Sequence, residues 1–147
     1  MVKNPPDGYQ RIIPYLVYAD APAAIDFLTK AFGFRERLRL PGEDGRVGHA
    51  ELELGGNVVM LASVYEELGH GDPLTLGARC VTVLCYVDDV DAHYAAACAA
   101  GAQPQDEPKD QFYGDRSYRV LDPGGHQWFF AQHIRDVPPE ELAAGAG

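Results

Sequence analysis

Three polar side chains with the potential for chemistry, His49, Glu51 and Glu53, alternate with apolar residues along one predicted strand. If Gly55-Gly56 forms a two-residue hairpin turn, Glu51 pairs with Met60, and all three polar side chains share the face that carries Met60. An imidazole and a carboxylate two residues apart could act as a general acid/base pair or as two ligands of a metal ion. They could equally form a solvated rim or a satisfied buried pair without a chemical role.

A second hairpin near the end of the chain would add aromatic side chains. Its turn sequence is Asp122-Pro123-Gly124-Gly125, in which proline presets φ and glycine permits a positive φ. The favoured register places Tyr118 opposite Phe129, with Gln127 on the same face. The other members of the predicted ligand-binding set come from the first hairpin and from the first strand of each half: Tyr15, Val17, His49, Glu51, Met60, Leu84 and Tyr86.

These side chains are positioned by a unit of secondary structure that occurs twice. In each half, an aspartate (Asp20; Asp88 or Asp89) is predicted to cap a helix, and a glycine (Gly33; Gly101) is predicted to end it. An apolar strand precedes each helix, and a hairpin follows it. Corresponding residues recur at a nearly constant spacing, which favours a repeated β-α-β-β-β unit over chance.

The segments outside the two units are expected to be less regular. Residues 1–10 form a polar lead-in, expected to be loose, and the predicted strand over 11–18 is apolar on both faces. Residues 63–78 lack periodicity and are predicted to be a linker, either a crossover between packed units or a mobile flap. Residues 134–147 are expected to form a flexible tail with one helical turn near Pro138.

Several other polar residues are expected to have structural roles. Asp115 and Arg116 are adjacent in the sequence and are predicted to form an ion pair at the entrance of a strand. His126 lies in the second turn, while His70 and His93 are predicted to be solvated. The sequence contains no phosphate-binding loop, nucleophile elbow or Cys/His dyad.

The net charge of -10 and the pI near 4.7 disfavour nucleic acid and anionic membranes as partners, because both require an excess of lysine and arginine. They slightly favour a cationic ligand. No signal peptide or membrane span is predicted, since residues 1–8 are polar and rich in proline and no apolar run is long enough. The cysteines, Cys80, Cys85 and Cys98, are odd in number and lack CxxC spacing, which predicts reduced, buried thiols and a cytoplasmic location.

Three stretches carry a resemblance to a known family: AIDFLTKAFGF (24–34), GHAELELGGNVVMLA (48–62) and YGDRSYRVLDPGGHQWFFAQH (113–133). They resemble the vicinal oxygen chelate superfamily (glyoxalase I, extradiol dioxygenases, fosfomycin- and bleomycin-resistance proteins) and look most like its glyoxalase-like subgroup related to PhnB. The resemblance implies a single α+β domain over residues 1–147, built of two βαβββ modules at 11–62 and 79–133. It also implies one curved, eight-stranded mixed sheet with a concave ligand cavity, helices on the convex face, and a homodimer.

The resemblance further implies where a metal ion would be held. Glyoxalase-type members place histidine or glutamate at positions that match Ile13, Met60, Thr82 and Phe129 here. None of these residues is a good ligand for zinc, nickel or iron, which bind imidazole or carboxylate in most such sites. We therefore predict that the standard metal site is absent and that no cofactor is bound.

Two functions follow from these expectations, and binding is favoured over catalysis. As drug-sequestering members of the superfamily do, a metal-free homodimer would enclose a small, partly aromatic molecule such as an antibiotic or another natural product. Alternatively, an enzyme, either metal-free or with a relocated metal site, would use Glu51 as general base, assisted by His49 or Tyr118, on a small carbonyl or epoxide substrate. Burial beside Met60 would then raise the pKa of Glu51 toward the working pH. A third interpretation is a housekeeping protein of the same fold, with a ligand that the sequence does not identify.

Overall fold

The structure, a computed structural model, describes residues 2–147, and its elements follow the predicted order. The first unit consists of β1 (Tyr15–Tyr18), α1 (Ala21–Ala31), β2 (Arg35–Pro41), β3 (Val47–Leu54) and β4 (Asn57–Ser63). The short helix α2 (Pro73–Leu76) lies between the units. The second unit consists of β5 (Thr82–Tyr86), α3 (Val90–Ala99), β6 (Gln103–Pro104), β7 (Lys109–Asp110), β8 (Asp115–Leu121) and β9 (Gln127–His133). The helix α4 (Pro139–Ala146) follows it.

In the part of the chain that the structure describes, the strands form two separate sheets rather than one eight-stranded sheet. The first sheet has the order β1-β4-β3-β2, and the second has the order β5-β9-β8-β6, with β7 also paired to β8. Within residues 2–147, the edge strands β1 and β5 are not hydrogen-bonded to one another, so no backbone pairing joins the two sheets. The prediction of a mixed α+β fold built from two similar units is confirmed.

The helices α1 and α3 begin and end at the predicted capping residues. Asp20 and Asp89 each accept a hydrogen bond from an amide of the first helical turn, at 3.1 and 3.0 Å. Gly33 and Gly101 follow the helices with φ angles of 83° and 96°, a conformation that glycine adopts without steric cost.

The strand β1 is shorter and more open than predicted. It begins at Tyr15, directly after Pro14, and not at residue 11. Leu16 and Tyr18 are buried in the core, whereas Tyr15, whose side chain points to the other side of the sheet, is 48% exposed. Because the core covers only one face of β1, the other face is available to a ligand.

One continuous apolar core joins the two units. The helix α1 packs against α3, and Phe32, at the end of α1, packs against Trp128 and Phe130 of β9. The ring centroids lie 5.7 and 4.8 Å apart in edge-to-face geometry, and the three side chains are fully buried. The units are therefore held together mainly by burial of apolar surface.

A buried carboxylate, that of Asp122, links the second hairpin turn to the first unit. Its Oδ1 accepts hydrogen bonds from the amides of Gly124 and His126 at 2.9 and 3.0 Å. Its Oδ2 accepts hydrogen bonds from the Tyr18 hydroxyl and from Trp128 Nε1. Burial, together with the adjacent carboxylate, raises the pKa of Tyr18 well above its ordinary value, so this hydroxyl stays a donor.

His93 is partly buried between the units and is not solvated as predicted. Its Nε2 donates a hydrogen bond to the Phe32 carbonyl oxygen at 2.8 Å, and its Nδ1 lies 2.7 Å from the Tyr118 hydroxyl. Burial lowers the pKa of His93, and the hydrogen bond to Phe32 opposes this effect only in part. The interface between the units therefore favours a neutral imidazole.

We expect His93 to make the protein less stable in mild acid. Because its pKa is lowered in the folded state, the unfolded chain binds more protons, and this contribution to stability is lost as the pH falls below the ordinary pKa of about 6.5. Between about pH 7.5 and about pH 5.5, the free energy of unfolding in urea should therefore fall more for the native sequence than for His93→Gln. The raised pKa of His133 is common to both proteins and cancels in the comparison. Equal losses would contradict this assignment.

The segments outside the sheets contain more ordered structure than predicted. The lead-in docks on the first sheet, because the Gln10 side chain forms hydrogen bonds with both the N–H and the carbonyl oxygen of Val58. The linker includes a 3₁₀ turn at Glu66–Leu68 and the helix α2, which Asp72 caps. The tail contains the eight-residue helix α4 where a single helical turn was expected.

The cysteines differ from their predicted burial. Cys80 and Cys98 are exposed, because one precedes β5 and the other lies on the solvent side of α3. Cys85 is partly buried, and burial raises the pKa of its thiol to about 11. Among residues 2–147, no helix combines the length and the apolar character that crossing a bilayer requires.

Candidate functional site

The first hairpin has the predicted register, and one side of its sheet carries the candidate residues. Glu51 pairs with Met60 in β4, and Met60 pairs with Tyr15 in β1. Together with His49 and Val58, these side chains lie on the side of the first sheet that faces away from α1. We call this side the first open face.

A chain of hydrogen bonds crosses the first open face. The Tyr15 hydroxyl lies 2.7 Å from His49 Nδ1, and His49 Nε2 lies 3.1 Å from Glu51 Oε1. From the other direction, the Tyr9 hydroxyl donates to Glu51 Oε2 at 2.7 Å. A proton on His49 Nε2 lets the ring donate to Glu51 and leaves Nδ1 to accept from Tyr15. Both tyrosines therefore act as donors: Tyr15 donates to His49 Nδ1, and Tyr9 donates to Glu51 Oε2.

Glu51 is a buried carboxylate with a lowered pKa. The residue is only 5% exposed, and burial by itself would raise the pKa. The hydrogen bonds from Tyr9 and His49, with the positive charge of Arg37, outweigh burial and bring the pKa below its ordinary value. The expectation that burial beside Met60 raises this pKa is wrong, because these donors act in the opposite direction. Glu51 is ionised at neutral pH and is suited to accept hydrogen bonds.

A β-bulge in β2 turns Arg37 and Leu38 toward the first open face. The register of β2 against β3 shifts between Glu36 and Leu38, and Leu38 then lies opposite Glu51. The Arg37 guanidinium lies over the ring of Tyr9, 4.7 Å from its centroid. The bulge thus places a cation and an apolar side chain beside the buried carboxylate.

Two cavities meet at Tyr15, next to the chain of hydrogen bonds. One has a volume of about 470 Å³ and is lined by Tyr15, Gly48, Ala62, Tyr65, Leu68 and His70. The other has a volume of about 450 Å³, lies between β1 and the start of β5, and includes Tyr15, Val17, Leu76, Cys80, Val81 and His126 in its lining. Both volumes suit a drug-sized ligand, and both linings are largely apolar.

The second sheet has an open face of its own, which we call the second open face and which carries four members of the predicted ligand-binding set, Leu84, Tyr86, Gln127 and Phe129. Leu84 pairs with Phe129, and Tyr86 and Gln127 each lie two residues from one of these positions along the same strands. Leu84 is 47% exposed and Tyr86 is 60% exposed. The predicted set is therefore divided between two sheets, and Glu51 lies on the other sheet from these four residues.

At the end of the second open face, Asp115 interacts with Tyr86 and His133 and not with Arg116. The Tyr86 hydroxyl donates to Asp115 Oδ2 at 2.8 Å, and His133 Nδ1 lies 2.8 Å from Asp115 Oδ1. Arg116 pairs instead with acidic side chains of α3 and β7. The predicted Asp115–Arg116 ion pair is wrong, because neighbouring residues of a strand point to opposite faces of the sheet.

Tyr118 belongs to neither open face, because the second hairpin differs from the predicted register by one residue. Tyr118 pairs with Phe130 and not with Phe129. The Asp122 amide donates to the His126 carbonyl oxygen, so the turn takes in one residue more than predicted. A slip of one residue reverses the face of a side chain, and Tyr118, 1% exposed, lies in the core beside α3.

The residues present do not fit the metal site that the fold family implies. Met60 and Phe129 lie on the two open faces, where their side chains offer no imidazole or carboxylate to a zinc, nickel or iron ion. His49 and Glu51 are hydrogen-bonded to one another and to tyrosines. Nowhere in residues 2–147 are three His, Cys, Asp or Glu side chains arranged to hold a metal ion.

Tyr9 and the linker belong to the site although the sequence patterns do not indicate them. Tyr9 lies in a polar segment without periodicity, and its only signal is that it is aromatic. The linker residues Tyr65, Leu68 and His70 form a cavity wall. The sequence indicates a role for these linker residues only through the length of the linker, since long segments without regular structure in compact domains are often binding loops.

Comparison with known sequences places the chain among related proteins. A model of the glyoxalase/bleomycin resistance protein/dioxygenase superfamily matches residues 11–130. The chain is 42% identical over 134 residues to the uncharacterized proteins Rv0887c of Mycobacterium tuberculosis and Mb0911c of Mycobacterium bovis. These matches cover 89% of this chain, with 79% of the first relative and 88% of the second.

Comparison with solved structures gives the same architecture. TioX from Micromonospora sp. ML1 is 34% identical, with a TM-score of 0.67, and the match covers 85% of this chain and 99% of TioX. The fosfomycin resistance protein FosX from Listeria monocytogenes, solved with Mn(II) and sulfate, is 16% identical, with a TM-score of 0.62. That match covers 91% of this chain and 97% of FosX, and at this identity it shows a shared fold alone.

Proposed function

Because the chain belongs to the glyoxalase/bleomycin resistance protein/dioxygenase superfamily, we propose that it is a metal-free protein that binds and sequesters a small, partly aromatic molecule. The observation that carries the proposal is the state of the candidate catalytic pair. Glu51 and His49 are hydrogen-bonded to each other and to two tyrosines, and the pKa of Glu51 is lowered. Such a carboxylate is a weak base at neutral pH but a strong hydrogen-bond acceptor.

The linings of the two cavities support a flat, apolar ligand. Tyr15 forms part of both, with Tyr65 and Leu68 beyond it on one side and Val17 and Leu76 on the other. Aromatic and aliphatic walls with a few polar groups are typical of sites for drug-sized molecules. An antibiotic or another natural product with a planar ring would match these walls.

Bleomycin is a first probe because its planar bithiazole rings and cationic tail would contact these walls, while the rest of this large glycopeptide stays outside, and because it appears in the description of the family. The ionised Glu51 and the net charge of -10 favour a cation. After EDTA treatment of the protein, we expect titration calorimetry to show saturable binding with a Kd below about 10 μM. If bleomycin does not bind and mass spectrometry of the purified protein finds no aromatic molecule, the proposal is wrong. One zinc, nickel, iron or manganese ion per purified chain would contradict the metal-free part.

The hydrogen bond of 3.1 Å between His49 and Glu51 supports a second candidate, an enzyme without the standard metal site. Glu51 would be the general base for a small carbonyl or epoxide substrate, and His49 would assist it. The third residue assigned to this chemistry, Tyr118, is excluded because it lies in the core.

The substitution Glu51→Gln separates the two candidates. In a binding protein the amide oxygen remains an acceptor, so the affinity for bleomycin should fall by at most about tenfold, or about 1.4 kcal/mol. In an enzyme, the same change should lower kcat by about 10²–10⁴-fold, because it removes the base. Calorimetry with bleomycin and kinetics with the glutathione adduct of methylglyoxal measure the two effects. Glu36→Gln is the matched control, since Glu36 pairs with Arg39 and its strand partner is Leu52, on the opposite face of the sheet.

We further propose that the protein works as a homodimer in the cytoplasm. Apolar side chains of both open faces, Leu38, Leu40, Leu84 and Tyr86, are between 39% and 60% exposed. A second copy would cover this surface, since clusters of exposed apolar side chains usually mark interaction sites. Sedimentation of the native protein at the monomer mass of 16.0 kDa would contradict the dimer.

A further inference from the structure

Val58 is fully buried although its side chain lies on the first open face. The lead-in covers this part of the face. The Gln10 side chain takes the place of a strand backbone, since Nε2 donates to the Val58 carbonyl oxygen at 2.6 Å and Oε1 accepts from the Val58 amide at 3.0 Å. Tyr9, the preceding residue, then reaches across the face to Glu51.

The place that Tyr9 occupies has the features of a binding subsite. Its ring is bounded by the Arg37 guanidinium, 4.7 Å from the ring centroid. Its hydroxyl donates at 2.7 Å to Glu51, a carboxylate that is 95% buried. Val58 and Met60 add an apolar floor, since they share a face with Glu51. A flat ring with one hydrogen-bond donor fits these groups in shape and in polarity.

The specific contacts that hold the lead-in over the face are hydrogen bonds and the packing of Arg37 on the Tyr9 ring. Besides Tyr9 and Gln10, the backbone oxygen of Gly8 accepts a hydrogen bond from Arg37 Nη1 at 3.0 Å. The apolar side chain of Val2 in this segment is 95% exposed, so it does not anchor the lead-in. A ligand that donates to Glu51 replaces the hydrogen bond from Tyr9, and water replaces the remaining hydrogen bonds, so displacing the segment costs little net free energy. A ligand can therefore displace the segment.

We propose that Glu51, Val58 and Arg37 form a subsite for a phenol, and that Tyr9 fills this subsite until a ligand displaces it. The inference rests on the proposed function and adds the chemical class of the ligand. A phenol donates to Glu51 as Tyr9 does, and its ring lies beneath Arg37. The corresponding aryl ether lacks the donor, so it leaves Oε2 of the buried carboxylate without the hydrogen bond that Tyr9 otherwise donates, and it binds less well.

Two probes and two variants test the subsite. The probes, 4-phenylphenol and 4-methoxybiphenyl, differ by one methyl group on the oxygen. Gln10→Ala frees the lead-in without changing the subsite, and Lys3→Ala is the matched control, because Lys3 pairs with Asp7 of the same segment. By calorimetry, 4-phenylphenol should bind Gln10→Ala about tenfold more tightly than the native protein or Lys3→Ala, because more of the protein is competent to bind. The ether should bind at least about tenfold more weakly than the phenol in all three proteins.

Hydrogen exchange at the Val58 amide gives an independent measure of displacement. The Gln10 side chain protects this amide, so saturating 4-phenylphenol should speed its exchange in the native protein. Unchanged exchange, with equal affinity for Gln10→Ala and the native protein, would overturn the displacement. Equal affinity for the two probes would overturn the ligand class. In both cases, binding of bleomycin would show that the proposed function still holds, whereas failure of all three compounds to bind, with no aromatic molecule in the purified protein, would overturn the function as well.

Discussion

Asp122→Ala should lower the free energy of unfolding by about 3–5 kcal/mol, because each buried donor left without an acceptor costs about 1–3 kcal/mol. The carboxylate is 4% exposed and accepts four hydrogen bonds. Its removal leaves the Tyr18 hydroxyl and Trp128 Nε1 buried without an acceptor, and it frees the amides that hold the second turn. Because small domains are stable by only about 5–15 kcal/mol, the variant should lie close to unfolding at physiological temperature.

Urea unfolding with a common m-value measures this loss, and Asp20→Ala is the matched control. Asp20 caps α1 from an exposed position, so its removal should cost only about 1 kcal/mol. The two variants remove the same chemical group from a buried position and from an exposed one. If Asp122→Ala cost no more than Asp20→Ala, the link between the units would not depend on this carboxylate.

Met60→Trp should abolish ligand binding, with a loss of at least about 100-fold in the affinity for bleomycin, while the fold is retained. Met60 lies between Tyr15 and Glu51, at the centre of the first open face. The larger ring would fill the space beside both cavities, and a loss of this size corresponds to about 2.7 kcal/mol of binding free energy. The free energy of unfolding should change little, because the side chain points away from the helices.

Lys30→Trp is the control for this substitution. Lys30 is exposed on α1, on the opposite side of the first sheet, so the added bulk cannot reach the open face. Its affinity for bleomycin should equal that of the native protein. If the affinities of Met60→Trp and Lys30→Trp were equal, the ligand would not bind at the first open face, whatever the stability of the variants.

The two hairpins show how far the sequence predicts the candidate site. The first turn, Gly55-Gly56, needs only two residues that tolerate a positive φ, so its sequence is sufficient to predict that Glu51 lies opposite Met60. The second turn depends on Asp122, whose contacts with Tyr18 and Trp128 cannot be seen locally. That is why the predicted register is one residue away from the observed one.

The charged groups of the candidate site are likewise predicted from the sequence only in part. Composition and spacing predict a carboxylate beside an imidazole, and the structure brings Glu51 and His49 to hydrogen-bonding distance. The direction of the pKa shift of Glu51 depends on Tyr9, which is 42 residues away in the sequence. A strand pattern describes the burial of a side chain, but it contains no information about a donor that comes from a distant segment.

The sequence by itself determined the class of fold, the repeated unit, the helix caps and the residues of the first open face. These features depend on neighbours along the chain: alternation selects a strand face, aspartate caps a helix, and glycine allows a turn. Only the tertiary structure decided that Tyr9 covers Glu51, that His93 lies between the units, and that Tyr118 belongs to the core. Each of these outcomes arises from a contact between segments that are remote in the chain. The contact forms because a buried polar group must find a partner or because an apolar surface must be covered.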